Sequence, residues 1–216
     1  KERYELLKER VEHMKKSLIL GTKIELVPSH YINDYGSMLE IEAHYLDLGY
    51  EGLILRSLMG KYKNGRSTAR EGGLLRIKRF VDFEGIIIDV VEGRTNCNQL
   101  QEDERGLAKR STHQEFMLPN GMVGGLKMRL IKDVTVIKEG APVVLFEKGQ
   151  VIDLSPGKMS SEEAKLWWAH PELILSKIGK GKFFPKGVKD KPRFPTFQGL
   201  RDPLDMPSSL LTATNR

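Results

Sequence analysis

The feature that most constrains the fold of this chain is a change of apolar period near Phe80. Before it, apolar residues recur at spacings of three and four. After it they alternate, or gather in short β-branched runs separated by polar stretches. The switch is sharpest at Gly85-Ile-Ile-Ile-Asp-Val-Val91, where Glu84 to Val91 reads as a strong strand. Helical spacing and strand spacing in separate stretches of one chain are the pattern of an α+β fold.

The N-terminal part carries the helices. Tyr4, Leu7, Val11, Met14 and Leu18 make one apolar stripe, predicting a helix over 1–17 that Gly21 ends, with Glu12 and Lys16 as a surface pair. Lys23 to Val27 alternates like a strand that Pro28 stops. Met38, Ile41, Tyr45 and Leu48 share a face and predict a helix over 34–48, with Gly49 at its C-terminal stop. Glu51-Gly-Leu-Ile-Leu-Arg56 then reads as a short buried strand, 57–73 as a Gly-rich polar loop, and Leu74 to Phe80 as a strand with Arg76 and Lys78 on one face.

Beyond residue 80 the chain reads as mostly β. Residues 92–112 are polar and too long for a tight turn. Residues 123–137 offer two strands and Val143 to Glu147 another. Ser160-x-x-Glu163 is a capping box ahead of a short helix through Trp168, which Pro171 closes. Several short strands, one helix and long loops fit a small Greek-key barrel such as an OB-fold, with a β-sandwich as the structural alternative. Residues 207–216 read as a tail.

At 216 residues the chain can bury a real core without disulfide or metal staples, and its single cysteine, Cys97, excludes an internal disulfide and a Cys-rich zinc site. No apolar run approaches the roughly 18 residues of a membrane helix, and no signal peptide is seen. The expectation is therefore an intracellular protein, cytoplasmic or in the nucleoid or nucleus, with no membrane partner and a monomeric state. The net charge of +6 is unevenly placed. From Arg56 to Arg79 eight Lys/Arg face one acid, Glu71. From Lys177 to Arg201 eight face Asp190 alone. These windows carry +14 between them, which leaves the rest of the chain at −8. Two concentrated basic segments point to a phosphate-bearing partner if the fold brings them to one face; two separate solvated loops are the alternative.

Five blocks carry a family resemblance. Glu51-Gly-Leu-Ile-Leu-Arg56, then Lys61-Tyr-Lys-Asn-Gly-Arg-Ser67, then Leu74-Leu-Arg-Ile-Lys-Arg-Phe80 resemble motifs IV and V of ATP-dependent DNA ligases, of the covalent nucleotidyltransferase superfamily. Lys109-Arg-Ser-Thr-His113 and the run Gly187 to Asp202, with its Pro-Arg-Phe-Pro core, resemble the OB domain and motif VI of the small viral and phage members. The resemblance implies the C-terminal part of a nucleotidyltransferase (adenylation) domain over 1–81, an OB-fold β-barrel over 82–206, and the tail. It implies nick sealing in duplex DNA through enzyme–AMP and DNA–adenylate intermediates, in repair, replication or recombination, with ATP (AMP) and Mg2+ as cofactors and nicked duplex DNA as partner.

The same resemblance assigns roles. Glu51 would help hold the metal. Lys78 would contact the nucleotide phosphate, and Arg76 stands at the first motif V position, where many relatives have Lys; both count with Glu51 as catalytic. Arg keeps the charge there but offers a planar fork in place of a point donor. Arg193 and Arg201 would orient the ATP phosphates with Lys78. Lys61, Lys63, Arg66, Lys109 and Arg110 would contact the DNA backbone, the last two within an insertion, Arg94 to His113, that forms a DNA latch in the smallest relatives. Against that, Gln101-Glu-Asp-Glu104 would repel DNA. Phe194, Pro195 and Phe197 read as core or hinge packing.

The family's nucleophile lies in Lys-x-Asp-Gly, and no Asp-Gly dipeptide occurs in this sequence. With Lys in place of Met at position 1, the reading is a ligase fragment or a subunit that needs an N-terminal adenylation half, inactive alone in self-adenylation. A non-catalytic OB-type DNA-binding module, an RNA ligase or capping nucleotidyltransferase, and a soluble β-barrel with incidental charge are the alternatives.

Overall fold

A computed structural model describes residues 2–17, 24–104, 106–138, 140–185, 190–202 and 204, apart from the side chains of Glu2, Ser17 and Lys138. The chain is mixed helix and sheet, with most of its ordered structure in strands. It divides into two compact units, Lys1–Lys78 and Arg79–Arg216.

The first unit holds helices α1 (Glu2–Ser17) and α2 (Tyr35–Asp47) and an antiparallel pair of strands, β1 (Gly52–Arg56) and β2 (Leu74–Lys78). Asp34 caps α2, its carboxylate accepting the Ser37 N–H at 2.8 Å. Gly49, at φ 93°, turns the chain out of the helix as predicted. Three expectations are corrected. Residues 24–27 form no strand; alternation alone supplies no partner to pair with. Glu12 is met by Lys15 at 3.3 Å, one position earlier than the expected Lys16. The strand β1 is not buried: Ile54 is 66% exposed, because a two-stranded sheet covers only one of its faces. Leu18, Gly21 and Lys23 lie outside the described residues. Of the sixteen buried hydrophobic side chains described in the chain, only Val11 lies in this unit.

The second unit is built on β3 (Val81–Asn96). Then follow β4 (Leu100–Glu102), β5 (Ala108–Arg110), β6 (Met117–Leu130), β7 (Val134–Lys138), β8 (Ala141–Phe146) and β9 (Val151–Leu154). Helix α3 (Ser161–Ala169) precedes β10 (Ile178–Phe184) and β11 (Arg193–Leu200). Five strands form one sheet in the order β11-β10-β3-β6-β9. Alternate residues of β3, among them Phe83 and Ile87, enter the core with Leu126, Met128 and Leu130 of β6. Phe183 of β10 is the hub of an aromatic trio, 5.9 Å from the Phe83 ring and 5.4 Å from that of Phe146. Helix α3 begins with the predicted capping box on Ser160 and Glu163. Its Trp167 meets the Phe197 ring edge-on at 6.1 Å.

The outer strands of this sheet meet at a single parallel bridge, Ser155 to Thr196. Ser155 N–H donates to the Pro195 carbonyl and Phe197 N–H to the Ser155 carbonyl, both at 3.0 Å. The described residues therefore form no continuous closed barrel: β9 spans only four residues, and β11 is interrupted by register shifts.

Beyond the sheet, β3 and β6 continue together as a two-stranded ribbon, with Asn96 opposite Met117. Residues 92–112, read as polar and too long for a tight turn, hold the end of this ribbon and a hairpin of β4 and β5, whose strands expose both faces.

Candidate nucleotide and nucleic-acid site

The register of β1 on β2 depends on Gly52. It lies opposite Lys78 at φ 149°, and a Cβ there would stand 2.1 Å from the Ile77 carbonyl oxygen. Only glycine allows backbones this close. The result sets Glu51 beside the end of β2, where its carboxylate accepts a charge-assisted hydrogen bond from the Lys78 ammonium. The Glu51 side chain remains 42% exposed and that of Lys78 31%. Arg76, two residues before Lys78 and so on the same strand face, is exposed opposite Ile54. The sheet thus sets one carboxylate and two cations along one end of a small exposed face.

The loop between these strands carries more of the predicted cations. Lys63 Nζ lies 2.5 Å from Glu71. Lys63 and then the Thr68 N–H, 3.1 Å away, hold the Glu71 carboxyl below its usual range. Lys61 and Arg66 are exposed.

In the second unit, Lys109 is exposed on β5, opposite Gln101. Arg110 does something else: its guanidinium donates to the backbone carbonyl of Asn98. Asn98 is itself buried. Its side-chain amide donates to Asn96 Oδ1 at 2.9 Å and to the carbonyls of Ser111 and His113 at 3.2 and 2.9 Å. The base of the hairpin is tied by these bonds, a function no periodic signal in the sequence announces.

Arg193 opens β11 and Arg201 follows its last residue. An extended run of that length spans roughly 25 Å, so these two arginines stand at opposite ends of one strand. Arg201 pairs with Glu84 of β3, a carboxylate mostly shielded from solvent, which Lys132 approaches at 3.8 Å. The Arg193 guanidinium lies over the Phe194 ring, 5.5 Å from its centre. Of the aromatics in the motif, Phe197 is buried as expected. Phe194 is 67% exposed, which corrects its reading as packing. Residues 187–189, the start of the block expected to resemble motif VI, lie outside the described residues. Among the described residues no three His, Cys, Asp or Glu side chains gather as a metal cage, and no helix is long and apolar enough to cross a membrane.

No protein-family model matches the chain. A DNA ligase of African swine fever virus from a South African tick isolate is 29% identical over 73 residues, which is 34% of this chain and 17% of the viral protein. The DNA ligase of a Kenyan pig isolate is 30% identical over 71 residues, 33% of this chain and 17% of that protein. The matches thus span about a sixth of the length of these relatives. Among solved structures, a Lig E DNA ligase overlays with a TM-score of 0.47 at 22% identity, covering 80% of this chain and 48% of that one. The Chlorella virus DNA ligase–adenylate overlays at 0.33 and 27% identity, covering 93% and 59%. Over about a third of its length, this chain is similar in sequence to viral DNA ligases.

Proposed function

We propose that the chain is the motif IV to VI portion of an ATP-dependent DNA ligase, acting on nicked duplex DNA inside the cell. The observation that carries this reading is the Gly52-dependent register that sets Glu51 against Lys78. The resemblance asks for a carboxylate and a lysine that share one anionic site, and residues 27 apart in sequence are brought to hydrogen-bonding range. Residues 1–81 are then read as part of an adenylation domain, and 82–206 as an OB-type module. Five strands in the order β11-β10-β3-β6-β9, a bridge from β9 back to β11, and a helix between β9 and β10 support the latter.

Nick sealing transfers phosphoryl-type groups through highly charged transition states, so positioned cations carry much of the catalysis. Lys78 and Arg76 would bind phosphate oxygens from the β2 face. Glu51 fits Mg2+ as a single carboxylate ligand: magnesium retains waters and substrate phosphates and needs no all-protein cage. When bound, the metal would neutralise phosphate charge. Until then Lys78 neutralises Glu51, so each holds the other in place for an incoming ligand. Lys61, Arg66 and Lys109, exposed on their loops and hairpin, would contact DNA phosphates, and Lys63 would do so in exchange for Glu71.

The sequence holds no Lys-x-Asp-Gly. The test therefore mixes the chain with a ligase segment that bears this motif and follows sealing of a labelled nicked duplex. Sealing by the mixture, and none by either part, is the expected result. A covalent lysine–AMP adduct formed from labelled ATP and magnesium by this chain alone would refute the assignment of the nucleophile to another segment. Tighter binding to nicked RNA than to nicked DNA duplexes would favour an RNA ligase or capping enzyme.

A further inference from the structure

The sequence holds two Asn-Gly pairs, Asn64-Gly65 and Asn120-Gly121. In such a pair the backbone nitrogen can attack the preceding side-chain amide, because glycine has no Cβ to obstruct the ring that forms. The reaction needs a glycine nitrogen free to lose its proton, an amide free to turn onto it, and a backbone free to bend. The fold provides these at one pair and withholds them at the other.

Asn120-Gly121 lies within β6. The Gly121 N–H donates to the Glu92 carboxylate at 3.0 Å, so its proton is held and a neighbouring negative charge disfavours the anion. Asn120 is half-buried, and its Oδ1 accepts from the Met122 N–H at 3.2 Å. Pairing of Arg94 with Pro119 and of Glu92 with Val123 fixes the backbone on both sides. Asn64-Gly65 instead sits at an exposed bend between β1 and β2. A Cβ on Gly65 would meet nothing within 4 Å. Among the described residues, neither the Asn64 amide nor the Gly65 N–H has a hydrogen-bond partner. The exposed side chains of Lys61 and Arg66 flank the pair with positive charge, which favours the nitrogen anion.

We propose that Asn64 is a self-modifying site, and that its conversion to a carboxylate weakens the loop's hold on phosphate. The Gly65 nitrogen gives up its proton and bonds to Asn64 Cγ. The bond from Cγ to the amide nitrogen breaks, and ammonia leaves with a proton returned from solvent. Water then opens the succinimide at either carbonyl, giving aspartate or isoaspartate at position 64. Both products set a negative charge among Lys61, Lys63 and Arg66, and isoaspartate also adds a carbon to the main chain. The modification is independent of the ligase reading, while its effect on phosphate rests on that reading.

The test ages the full chain in mildly alkaline buffer and follows peptides spanning each pair by mass spectrometry. The amide-to-acid mass gain should appear roughly 10- to 100-fold faster at Asn64 than at Asn120, the factor set by the hydrogen bond from Gly121 to a charged group. In denaturant the two rates should converge. On a labelled nicked duplex, followed by anisotropy, the aged chain and Asn64→Asp should bind roughly 3- to 10-fold more weakly than the fresh chain, with a salt slope smaller by about 1. Aged Asn64→Gln should keep the fresh affinity. Equal conversion at both asparagines, or a difference that persists in denaturant, overturns the proposal. So does an equal loss of affinity in aged Asn64→Gln. Conversion at Asn64 with affinity unchanged, in the aged chain and in Asn64→Asp alike, overturns its second half. If the fresh chain binds no duplex, the nucleic-acid reading fails, and the mass measurement still decides the modification.

Discussion

Substituting Gly124 with alanine tests how the second unit aims its hairpin. Where β3 and β6 leave the main sheet, their backbones nearly touch at Gly93 and Gly124. A Cβ on Gly124 would lie 2.3 Å from the Gly93 Cα and 2.7 Å from its nitrogen. Carbon atoms pack at about 3.5–4.0 Å, so the strands must part locally by more than about 1 Å. Both obstacles are backbone, fixed by pairing of Val91 with Gly125 and Glu92 with Val123. Overpacking of this kind costs about 1–3 kcal/mol. For a unit of this size that lowers the melting temperature by about 3–10 °C. Both tryptophans, Trp167 and Trp168, lie on α3, so intrinsic fluorescence reports this unit alone. Gly106→Ala is the control: its φ is 72° with nothing within 4 Å, so only the conformational cost of about 1 kcal/mol remains. Because the ribbon beyond Gly124 carries β4 and β5, the substitution should also weaken DNA binding more than the Gly106 control does. A Gly124→Ala melting temperature within about 1 °C of the unsubstituted chain would refute the close-approach reasoning.

In the complemented sealing assay, Gly52→Ala should act like Lys78→Ala and abolish activity, because a Cβ 2.1 Å from the Ile77 oxygen breaks the register that joins Glu51 to Lys78; sealing at the unsubstituted rate by either variant counts against that site. Ser160→Ala removes the α3 cap and should cost about 1 kcal/mol, read as a fall of about 2–4 °C in tryptophan-monitored melting. The cross-strand pair Asp89–Lys127, at 2.8 Å, sets a pH window. Lys127 holds the Asp89 carboxyl below its ordinary value, so the pair's stability is present above about pH 4 and is lost as pH falls through the lowered value. Asp89 raises Lys127 above its ordinary value, so the same stability is lost again as pH rises through that raised value. Asp89→Asn should flatten both limbs of the melting temperature against pH, and an unchanged profile would remove the pair from the account.

The helices and the core strands were legible because one physical signal dominates each. The period of three and four marks α2, and Asp34 and Gly49 bracket it. The β-branched run marks the centre of β3. Legibility failed where structure comes from partners instead of from pattern. The strand expected from residue 123 begins at Met117, across Pro119, Asn120 and Gly121, because the end of β3 pairs with Met117 to Pro119. The β4–β5 hairpin has no buried face and hence no alternation to detect. It is held by Asn98, a residue indistinguishable in sequence from a loop asparagine. Among the candidate site residues, the alternation of Arg76 and Lys78 predicted their shared face correctly. Nothing in sequence tied Arg201 to Glu84, 117 residues away.

Those pairings change what the basic windows mean. Counted along the chain, Lys63, Lys78 and Arg201 are free positive charge. In the fold each is joined to an acid, Glu71, Glu51 and Glu84 respectively. Counterion release on binding nucleic acid scales with phosphates newly neutralised, so the salt slope of this chain should fall short of what sixteen clustered cations would give. The pairs also differ in what a phosphate must do to enter. Glu51, Lys78, Lys63 and Glu71 are all substantially exposed, so an incoming phosphate can exchange for the carboxylate at small cost. Glu84 is shielded, and separating it from Arg201 would leave a charge in a poorly solvated place. The β2 cations are therefore suited to a ligand that comes and goes, while Arg201 is suited first to fastening the end of β11 onto β3. A role for Arg201 on phosphate requires that Glu84 keep another cation when the pair opens, and Lys132, 3.8 Å away, is placed to supply it.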